Sequence, residues 1–480
     1  MHSDKFREEC GIVGVWDHPE ASNLAYLGLY ALQHRGQEGA GVVSLADDLE
    51  ASSDGQPSYH VHKGLGLVAD IFKSFDFAKN LPGRCAIGHV RYSTTGENRI
   101  ANVQPMYAEV AGGRLAIAHN GNLVNASPLR RKLIKSGAIF SSTSDTEVIV
   151  HLVAKAGKST PAVENLISAL KQVRGAYSLV AMYRNSLYAV RDPNGFRPLC
   201  MGRMPGGAVV FASETCAFDL LGAQFERELD PGELVEVSAS NNVQSFFPFG
   251  RSTPTPCIFE YVYFARPDST VFGRNVYAVR KEMGAELARE CKVKADVVVP
   301  VPDSGVTAAI GYAQETGLPL EMGLIRNHYV GRTFIEPQQS IRDFGVKIKL
   351  NANPHALQGK VVVAIDDSIV RGTTSRKLVK MLRGAGAKEV HFRVSAPPTT
   401  GPCYYGIDTP EKHQLIAAKM SVDEIREFLA ADSLQYLSIE GLYRAVDSKR
   451  GSFCDACFSG KYPLGTAKNG EAPEPQLKLV

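Results

Sequence analysis

The sequence predicts two consecutive domains, a layered α+β domain followed by an α/β domain with a parallel sheet. Three observations support this: the chain length, the alternation of strand-like and helical patterns, and a change in that alternation near residue 250. The chain has 480 residues, about three times the size of a common single domain. Hydrophobic residues make up 44% and charged residues 21%, a composition that allows sizeable cores without disulfides.

The first half of the chain alternates short strand-like runs with turns rich in Gly, Asn and Ser. Strand-like runs lie at residues 85–90, 115–118, 177–182 and 207–211, and helical patterns lie at 146–156 and 163–173. This mixture predicts an α+β domain built from layers. We place it at residues 10–245, and we place a linker rich in Pro and Thr at residues 252–256.

The second half has Val-rich strands that alternate with helices. Helical patterns begin at residues 276, 306 and 373, and apolar strands occupy 296–302, 360–365 and 389–394. This order predicts a parallel sheet, in which ligands bind at the carboxyl ends of the strands. The predicted boundaries are 257–410 for this domain, 411–463 for C-terminal helices and a cysteine-containing segment, and 464–480 for a tail; residues 421–447 look helical throughout.

Charge and hydropathy exclude several classes of protein. The 53 Lys and Arg residues against 50 Asp and Glu give a net charge of +3, too small for a general nucleic-acid surface. No apolar run approaches the roughly 20 residues of a membrane span, and the amino terminus does not resemble a secretory signal. We therefore expect a cytoplasmic protein without nucleic-acid or membrane partners, whose nine cysteines are thiols, metal ligands or a nucleophile.

Cys10 is the first candidate for chemistry, because it opens the strand-like run at residues 10–15. A thiol is mostly protonated at neutral pH and needs a nearby base to act as a nucleophile. Cleavage between Glu9 and Cys10 would place a new α-amine, with a reference pKa of about 7.7–8.0, beside the thiol. On its own, a cysteine in a strand is more often a small core residue.

Three later segments strengthen the nucleophile interpretation. Residues 89–96 offer an arginine and several hydroxyls, and residues 119–122 place a side-chain amide beside a glycine N–H, a natural oxyanion pair. Residues 144–147 place a carboxylate at a helix start, where a simple N-cap is the alternative. Together with residues 32–38, these segments resemble the class II glutamine amidotransferase domain of the N-terminal-nucleophile hydrolases.

That resemblance implies a role for each residue of the first site. Cys10 attacks the side-chain amide of glutamine, while Asn120 and Gly121 hold the oxyanion. Arg91 pairs with the α-carboxylate of glutamine, for which a guanidinium is well suited. Asp145 pairs with the α-ammonium group, and Arg35 supports the glutamine site through the loop around the nucleophile.

The second candidate site follows the predicted strand 360–365. The adjacent carboxylates of Asp366 and Asp367 repel each other unless a cation or sugar hydroxyls bind them. Gly372 allows a ligand close to the backbone, and the next helix directs its N-terminal amides at the loop, which suits a phosphate. An acidic turn with a helix cap is the plain alternative. The hydroxyls of this loop belong to Ser368, Thr373 and Thr374.

This loop resembles the phosphoribosyl pyrophosphate (PRPP) signature of type I phosphoribosyltransferases. The resemblance implies that Asp366 and Asp367 bind the ribose hydroxyls and Mg²⁺, and that residues 368–374, Arg371 included, bind the 5-phosphate. Residues 302–306 match the pyrophosphate loop of that family, with Ser304 contributing to the Mg²⁺ site. Residues 326–349 would suit a lid over PRPP, with an ordinary surface loop as the alternative.

The third candidate site is a Cys-x-x-Cys pair, Cys454 and Cys457. Alone it could be half of a zinc site, a redox pair or a coincidence. Four thiolates can hold zinc or an iron–sulfur cluster, and the spacing to Cys257 and Cys403 does not decide between them. We expect the other cysteines outside the nucleophile position to be buried thiols; these are Cys85, Cys200, Cys216 and Cys291.

Taken as a whole, residues 10–463 resemble the amidophosphoribosyltransferase family, in its branch with a propeptide and a [4Fe–4S] cluster. The resemblance implies a propeptide at residues 1–9 and four cluster ligands, Cys257, Cys403, Cys454 and Cys457. It also implies Mg²⁺, the substrates PRPP and glutamine, feedback inhibition by purine nucleotides, and a homotetramer. The implied reaction converts PRPP, glutamine and water to 5-phosphoribosylamine, glutamate and pyrophosphate, the first committed step of purine synthesis.

Three alternatives compete with this interpretation. A class II amidotransferase that makes glucosamine 6-phosphate or asparagine would lack Asp366 and Asp367, so that alternative fails. A non-catalytic regulator that senses PRPP would keep the second site but would have no reason to keep the first. The third alternative, an enzyme whose chain is never cleaved between Glu9 and Cys10, stays open.

Overall fold

The computed structural model describes residues 10–46, 58–92, 99–155, 159–250, 252–328 and 350–465, apart from the side chain of residue 240. The predicted propeptide, residues 93–96 of the arginine-containing motif, most of the predicted lid (329–349) and the tail beyond residue 465 lie outside these residues. Within the described chain, no helix is both long and apolar enough to cross a membrane.

The first domain contains two antiparallel sheets. The seven-stranded sheet has the order β11-β9-β10-β1-β4-β2-β3, with β1 (Gly11–Trp16), β2 (Gly39–Ala46), β3 (Ser58–Leu65), β4 (Cys85–Arg91), β9 (Cys200–Arg203), β10 (Val209–Ala212) and β11 (Gln224–Glu228). The six-stranded sheet has the order β13-β12-β8-β7-β6-β5, with β5 (Met106–Val110), β6 (Gly113–Leu123), β7 (Gly175–Tyr183), β8 (Ser186–Arg191), β12 (Leu234–Ser238) and β13 (Asn242–Phe246).

The two sheets pack face to face, and helices cover their outer faces. Strand β1 shows why its sequence is apolar throughout: Ile12 faces the six-stranded sheet, whereas Val13 and Val15 face the outer helices. Alternate side chains of a strand point to opposite faces, so a strand covered on both sides has no solvent face. The helices are α1 (Ala21–Ala31), α2 (Val68–Ile71), α3 (Phe77–Asn80), α4 (Ala126–Lys135), α5 (Thr146–Ala154), α6 (Ala162–Leu170) and α7 (Cys216–Leu221), with 3₁₀ turns at Gln33–Arg35, Ile100–Asn102 and Ala239–Asn241.

The second domain is built on a parallel sheet with the order β16-β19-β20-β21. Its strands are β16 (Val297–Pro300), β19 (Val361–Asp366), β20 (Glu389–Val394) and β21 (Ser433–Tyr436), and two small antiparallel pairs accompany it, β14 (Thr270–Val271) with β15 (Arg274–Asn275) and β17 (Leu324–Arg326) with β18 (Leu350–Ala352). The two faces of β19 enter separate cores: Val363 and Ile365 pack on one side, and Val362 and Ala364 on the other. The predicted parallel sheet is confirmed.

Helices cover both faces of this sheet. They are α8 (Val276–Glu290), α9 (Val306–Thr316), α10 (Pro354–Leu357), α11 (Thr373–Gly384), α12 (Val422–Leu429), α13 (Ile439–Ala445) and α14 (Ala456–Ser459), with 3₁₀ turns at Lys412–Gln414 and Ile416–Ala418 and a π-helix at Glu260–Phe264. The helical prediction for residues 421–447 was wrong in its middle. The capping box of Ser421 and Glu424 opens α12 as expected, but Ala430 adopts a left-handed conformation and the chain then forms β21.

The chain between the domains runs along the first domain before it enters the second. Thr255 donates its N–H to the carbonyl of Asn194 (2.7 Å), and Cys257 donates to that of Phe196 (3.1 Å). The C-terminal segment returns to the same place, because Cys454 forms a parallel bridge with Cys257 and donates to the carbonyl of Pro256 (2.8 Å). The junction between the domains therefore contains the linker and the C-terminal segment as well.

Candidate active sites

Residues from five separate parts of the first domain line one small cavity. Among them are Cys10, Arg91, Gly121 and Asp145; Tyr92, Gln104, His119 and Ser144 complete the lining. Cys10 lies just before β1, and the next residue pairs with Val90 on β4, so the central strands of the sheet bring the thiol close to Arg91. The thiol of Cys10 donates to the carbonyl of Tyr92 at 3.6 Å.

Asn120 lies on β6 beside the cavity residue Gly121 and is completely buried. Neither polar atom of its side-chain amide has a hydrogen-bond partner among the described residues. A buried amide that lacks partners at both ends is costly, and such groups are rare in folded proteins. Its nitrogen is therefore available to a ligand. Gly121 cannot be replaced easily, since a Cβ there would lie 2.1 Å from the carbonyl oxygen of Ala176.

Asp145 stands at the N-terminus of α5 but does not cap that helix with its side chain. Its Oδ2 accepts a hydrogen bond from the N–H of Leu123 (2.9 Å), which lies at the end of β6. Its Oδ1 is 3.8 Å from Nδ1 of His119. The simple N-cap alternative is therefore not what the structure contains, and the carboxylate is held at the cavity by the same strand that carries Asn120.

Arg91 ends β4 with a buried side chain. Burial lowers the pKa of its guanidinium, while the charges of Cys10 and Glu38 act in the opposite direction. A buried cation favours an anionic partner, which agrees with the α-carboxylate of glutamine as its ligand. The backbone carbonyl of Arg91 accepts the N–H of Glu38 (3.0 Å), so the neighbouring turn fixes the end of β4.

Arg35 is not among the residues that line the cavity of Cys10. Its position therefore gives no support to direct binding of glutamine by Arg35. Its fully buried guanidinium pairs with Glu214 and with Glu260, the first residue of the π-helix. The following residue, Gly36, packs on the backbone of β4, because a Cβ there would lie 2.6 Å from the carbonyl carbon of Val90. Arg35 thus anchors a turn that supports Arg91 from behind.

The charges around Arg35 join the two domains. Arg197 lies 3.3 Å from Glu260, and both side chains are fully buried. Burial opposes ionisation of Glu214, but the charges of His34 and Arg35 hold its pKa well below its usual range. We name Arg35, Glu214, Glu260 and Arg197 the junction charges. The sequence did not reveal Glu214, Glu260 or Arg197, because partners this far apart in the chain leave no local pattern.

The second site lies where β19 ends, as the strand pattern predicts. Asp366 and Asp367 are both 1% exposed. The N–H of Asp367 donates to the carboxylate of Asp366 (2.9 Å), and the hydroxyl of Ser368 donates to that of Asp367 (2.5 Å). Gly372 has a φ of +78° and precedes the first turn of α11, which begins with Thr373 and Thr374. The acidic pair and the helix N-terminus therefore belong to one loop.

The loop with Ser304 is the neighbour of the acidic pair. Val301 donates its N–H to the carbonyl of Ile365 (2.8 Å), and a Cβ on Gly305 would lie 2.3 Å from the same oxygen. The loops after β16 and β19 are therefore packed backbone against backbone. Arg371, at the other end of the acidic loop, donates to the side chain of Gln414 (2.7 Å). The predicted PRPP residues thus come from two adjacent strand ends and the start of α11.

Arg280 is a residue near the second site that the sequence reasoning missed. Its guanidinium donates to the carbonyl of Tyr261 (2.7 Å), within the π-helix, and to that of Ala265 (2.8 Å), the residue after it. Burial lowers the pKa of Arg280 to about 10, and the negative charge of Asp367 opposes this effect. Arg280 thus binds the π-helix and lies within the electrostatic influence of Asp367. An arginine inside an otherwise ordinary amphipathic helix gave no signal in the sequence.

The structure brings Cys257, Cys403, Cys454 and Cys457 together at the junction. Burial raises the pKa of the Cys457 thiol well above its usual range, and the charges of the other three cysteines raise it further. Burial raises the pKa of Cys454 to about 12, and Cys403 contributes to this rise. Yet in the described parts of the chain no three His, Cys, Asp or Glu side chains lie close enough together for one metal ion.

Comparison with known proteins agrees with this two-site arrangement. Residues 89–219 match the family model of the glutamine amidotransferase domain, and residues 273–423 match that of the phosphoribosyl transferase domain. A chloroplastic amidophosphoribosyltransferase of Vigna aconitifolia is 53% identical over 461 residues, which cover 96% of this chain and 92% of that protein. The chain belongs to the amidophosphoribosyltransferase family.

Further members of the family confirm the relationship over the whole fold. The amidophosphoribosyltransferase of Bacillus subtilis (strain 168) is 48% identical over 462 residues, 95% of this chain and 94% of that protein. A solved structure of the glutamine PRPP amidotransferase from B. subtilis, in complex with ADP and GMP, has a TM-score of 0.88 and 46% identity. It covers 95% of this chain and 97% of that chain.

Family membership settles three predictions from the sequence. The predicted fold class, an α+β N-terminal-nucleophile domain followed by an α/β type I phosphoribosyltransferase domain, is confirmed. The prediction of a glutamine-dependent amidophosphoribosyltransferase in purine synthesis is confirmed as well. The alternative of a non-catalytic regulator was wrong.

The junction charges predict a large loss of stability when one partner is removed. Replacing Glu260 with Gln leaves the cations of Arg35 and Arg197 buried without their shared carboxylate, and losses of about 3–5 kcal/mol are typical of such changes. Denaturant unfolding should show a clearly lower midpoint for this variant than for the wild type.

A matched control is Glu282→Gln in α8, which removes the exposed pair of Glu282 with Arg289. Exposed pairs contribute at most about 1 kcal/mol, so this midpoint should hardly move. Equal shifts in the two variants would contradict the role given to Glu260.

Proposed function

We propose that the first site hydrolyses glutamine through Cys10 and that the second site joins the released ammonia to C1 of PRPP. The observation that carries the proposal is the shared cavity of Cys10, Arg91, Gly121 and Asp145, with the unpaired amide of Asn120 buried beside it. Cys10 immediately precedes β1, Arg91 and Gly121 lie on β4 and β6, and Asp145 immediately precedes α5. Unrelated surface residues would not converge on one cavity in this way. The types of the residues that do converge match what glutamine hydrolysis requires.

At the first site, the thiol of Cys10 attacks the side-chain carbonyl carbon of glutamine, and the C–N bond breaks to give ammonia and a γ-glutamyl thioester, which water then hydrolyses to glutamate and the free thiol. After removal of residues 1–9, the α-amine of Cys10 accepts the thiol proton and then donates it to the departing ammonia. Asn120 and Gly121 donate hydrogen bonds to the oxygen that becomes negative in the transition state. Arg91 and Asp145 bind the α-carboxylate and α-ammonium groups, which positions the amide over the thiol.

At the second site, Asp366 and Asp367 bind the ribose hydroxyls, and residues 368–374 surround the 5-phosphate. The N-terminus of α11 adds backbone N–H groups and the positive end of a helix dipole to the phosphate position. Oxygen atoms of Asp366, Asp367 and Ser304 suit Mg²⁺, which takes few protein ligands and leans on substrate phosphates. When bound, Mg²⁺ would neutralise charge on the pyrophosphate group.

Ammonia should travel inside the protein, because most of it becomes ammonium in water at neutral pH and then has no lone pair for attack. The structure supports this requirement by fixing the domains against each other through the junction charges. The lid over PRPP stays a prediction, since most of residues 326–349 lie outside the described chain.

We also propose a [4Fe–4S] cluster on Cys257, Cys403, Cys454 and Cys457. The donor set fits in kind, because the buried thiols of Cys257, Cys454 and Cys457 and the partly exposed thiol of Cys403 lie close enough to influence one another electrostatically. In this position the cluster would act as a structural cross-link between the linker, the loop at residue 403 and the C-terminal segment.

Regulation and assembly complete the proposal. The related structure from B. subtilis contains ADP and GMP, which supports purine nucleotides as feedback inhibitors of this chain. A homotetramer in the cytoplasm stays the expectation from the family resemblance. The mass of the purified chain would show whether residues 1–9 are removed.

The first test of the proposal is Cys10→Ala. This variant should lose glutamine-dependent synthesis by at least roughly a thousandfold, because no other nucleophile replaces the thiol. Synthesis with added ammonia should stay near the wild-type rate, as the second site is intact. Pyrophosphate release from Mg²⁺–PRPP measures both activities, and loss of both would contradict two separate sites. Cys291→Ala, at a partly exposed thiol outside the sites, should keep both activities.

The second test is Asp367→Asn, which keeps the size of the side chain and removes its charge. PRPP turnover should fall with either nitrogen donor, by roughly a hundredfold or more if the carboxylate binds the ribose and Mg²⁺. Glutamine hydrolysis at Cys10 should still occur. The control is Asp432→Asn, because Asp432 precedes β21 at the opposite end of the sheet and pairs with Arg383. Unchanged PRPP turnover in Asp367→Asn would refute the assignment.

The third test concerns the metal centre. Anaerobically purified wild-type protein should contain about four iron and four sulfide per chain if the cluster is present. Cys454→Ser should lower both contents and the visible absorption, whereas Cys291→Ser should leave them unchanged. A colourless wild-type protein that contains zinc would overturn the cluster.

A further inference from the structure

Residues 403–406 of the second domain lie directly against the strand that carries the proposed oxyanion donors. Asn122 donates its side-chain N–H to the carbonyl of Tyr404 at 3.0 Å. Gly406 approaches the same strand so closely that a Cβ would lie 2.8 Å from the carbonyl carbon of Gly121 and 2.9 Å from its Cα. A Cβ would also lie 3.2 Å from the backbone nitrogen of Asn122. Main-chain atoms of the two segments are therefore in contact.

The segment is itself fixed by contacts on several sides. The ring of Tyr405 stacks on Phe196, with ring centres 4.4 Å apart and an angle of 14° between the ring planes. Arg197 donates to the carbonyl of Tyr405 at 2.8 Å, and the N–H of Tyr405 points to the sulfur of Cys403 at 3.3 Å. The N–H of Cys403 donates to the hydroxyl oxygen of Thr409 at 2.7 Å. The segment can therefore act as a rigid support.

We propose that residues 403–406 set the position of the Gly121 peptide, so that Gly406 and Asn122 are positioning residues for glutamine hydrolysis. This inference rests on the proposed function, in which Asn120 and Gly121 hold the oxyanion. The donors of such a hole must be in place before charge develops, since they then need no rearrangement during the reaction. Misplacement by about 1 Å can cost roughly a hundredfold in rate.

The contact makes the first site dependent on the second domain. Gly121 also lies close to the carbonyl of Ala176 on β7, because a Cβ on Gly121 would be 2.1 Å from that oxygen. Gly121 therefore has little space in which to move. The Gly121 peptide is thus enclosed between β7 of its own domain and a loop of the other domain. Without that loop, only one side of the oxyanion pair would be supported.

The test compares Gly406→Ala with a control at Gly451. Both glycines have a positive φ, +106° and +90°, so alanine strains the backbone at both positions. A Cβ at Gly451 meets nothing within 4 Å, whereas one at Gly406 meets the Gly121 peptide. The difference between the two variants therefore isolates the contact from the backbone strain.

In Gly406→Ala, kcat with glutamine should fall by roughly ten- to a hundredfold, while KM for glutamine stays within about twofold. This split follows because the oxyanion forms only in the transition state, whereas Arg91 and Asp145 bind the substrate. Synthesis with ammonia and the iron content should stay unchanged. Gly451→Ala should keep all four quantities.

Asn122→Ala provides a second variant in case Gly406→Ala does not fold. It removes the hydrogen bond from the Asn122 side chain to the carbonyl of Tyr404, and it should lower kcat with glutamine several-fold without changing ammonia-dependent synthesis. The inference would be overturned if these variants kept the wild-type kcat with glutamine, or if glutamine-dependent and ammonia-dependent synthesis fell equally. Asn120→Ala separates the two levels: if it keeps full glutamine activity, the oxyanion assignment itself is wrong.

Discussion

The buried charges at the domain junction are the constraint on which the rest of the structure depends. All four junction charges are completely buried. Arg35 lies in the turn after α1 and Glu214 in the loop before α7, whereas Glu260 begins the π-helix of the second domain. Charges of this kind are costly to remove from water, and they are tolerated only when every partner is in place. A shift of the second domain would separate Glu260 from both Arg35 and Arg197, so these two pairs favour a single alignment of the domains.

This alignment fixes both active sites in one frame. On one side of the junction, Arg35 holds the turn whose next residue, Gly36, packs against the backbone of Arg91. On the other side, Glu260 begins the π-helix, and Arg280 donates to the carbonyl of Tyr261 within that helix and to the carbonyl of Ala265 just after it. The negative charge of Asp367 acts on Arg280. The junction charges therefore lie between the turn that supports Arg91 and the π-helix that Arg280 binds.

The sequence was informative wherever chemistry and structure are local. The strand at 361–366 and the helix at 276–290 were predicted almost to the residue, because an apolar Val-rich run and a helical repeat are properties of neighbouring residues. The loop of Asp366 and Asp367 could be read for the same reason. The short strand β21 was missed, since four residues between two helical patterns carry too little periodicity. Glu260 and Gly406 were also missed, because their partners lie in the other domain.

The proposed cluster ligands and the junction charges meet at two residues of the first domain, Phe196 and Arg197. Arg197 contacts both Glu260 and the carbonyl of Tyr405, and Phe196 accepts the N–H of Cys257 while its ring stacks on Tyr405. The linker, the π-helix and the 403–406 loop are therefore bound at one place. Since that loop also supports Gly121, the geometry of glutamine hydrolysis is tied to the same point as the domain alignment. Loss of the proposed cluster would therefore disturb the first site through the 403–406 loop, whereas the acidic loop of the second site joins β19 to α11 and packs on the loop after β16.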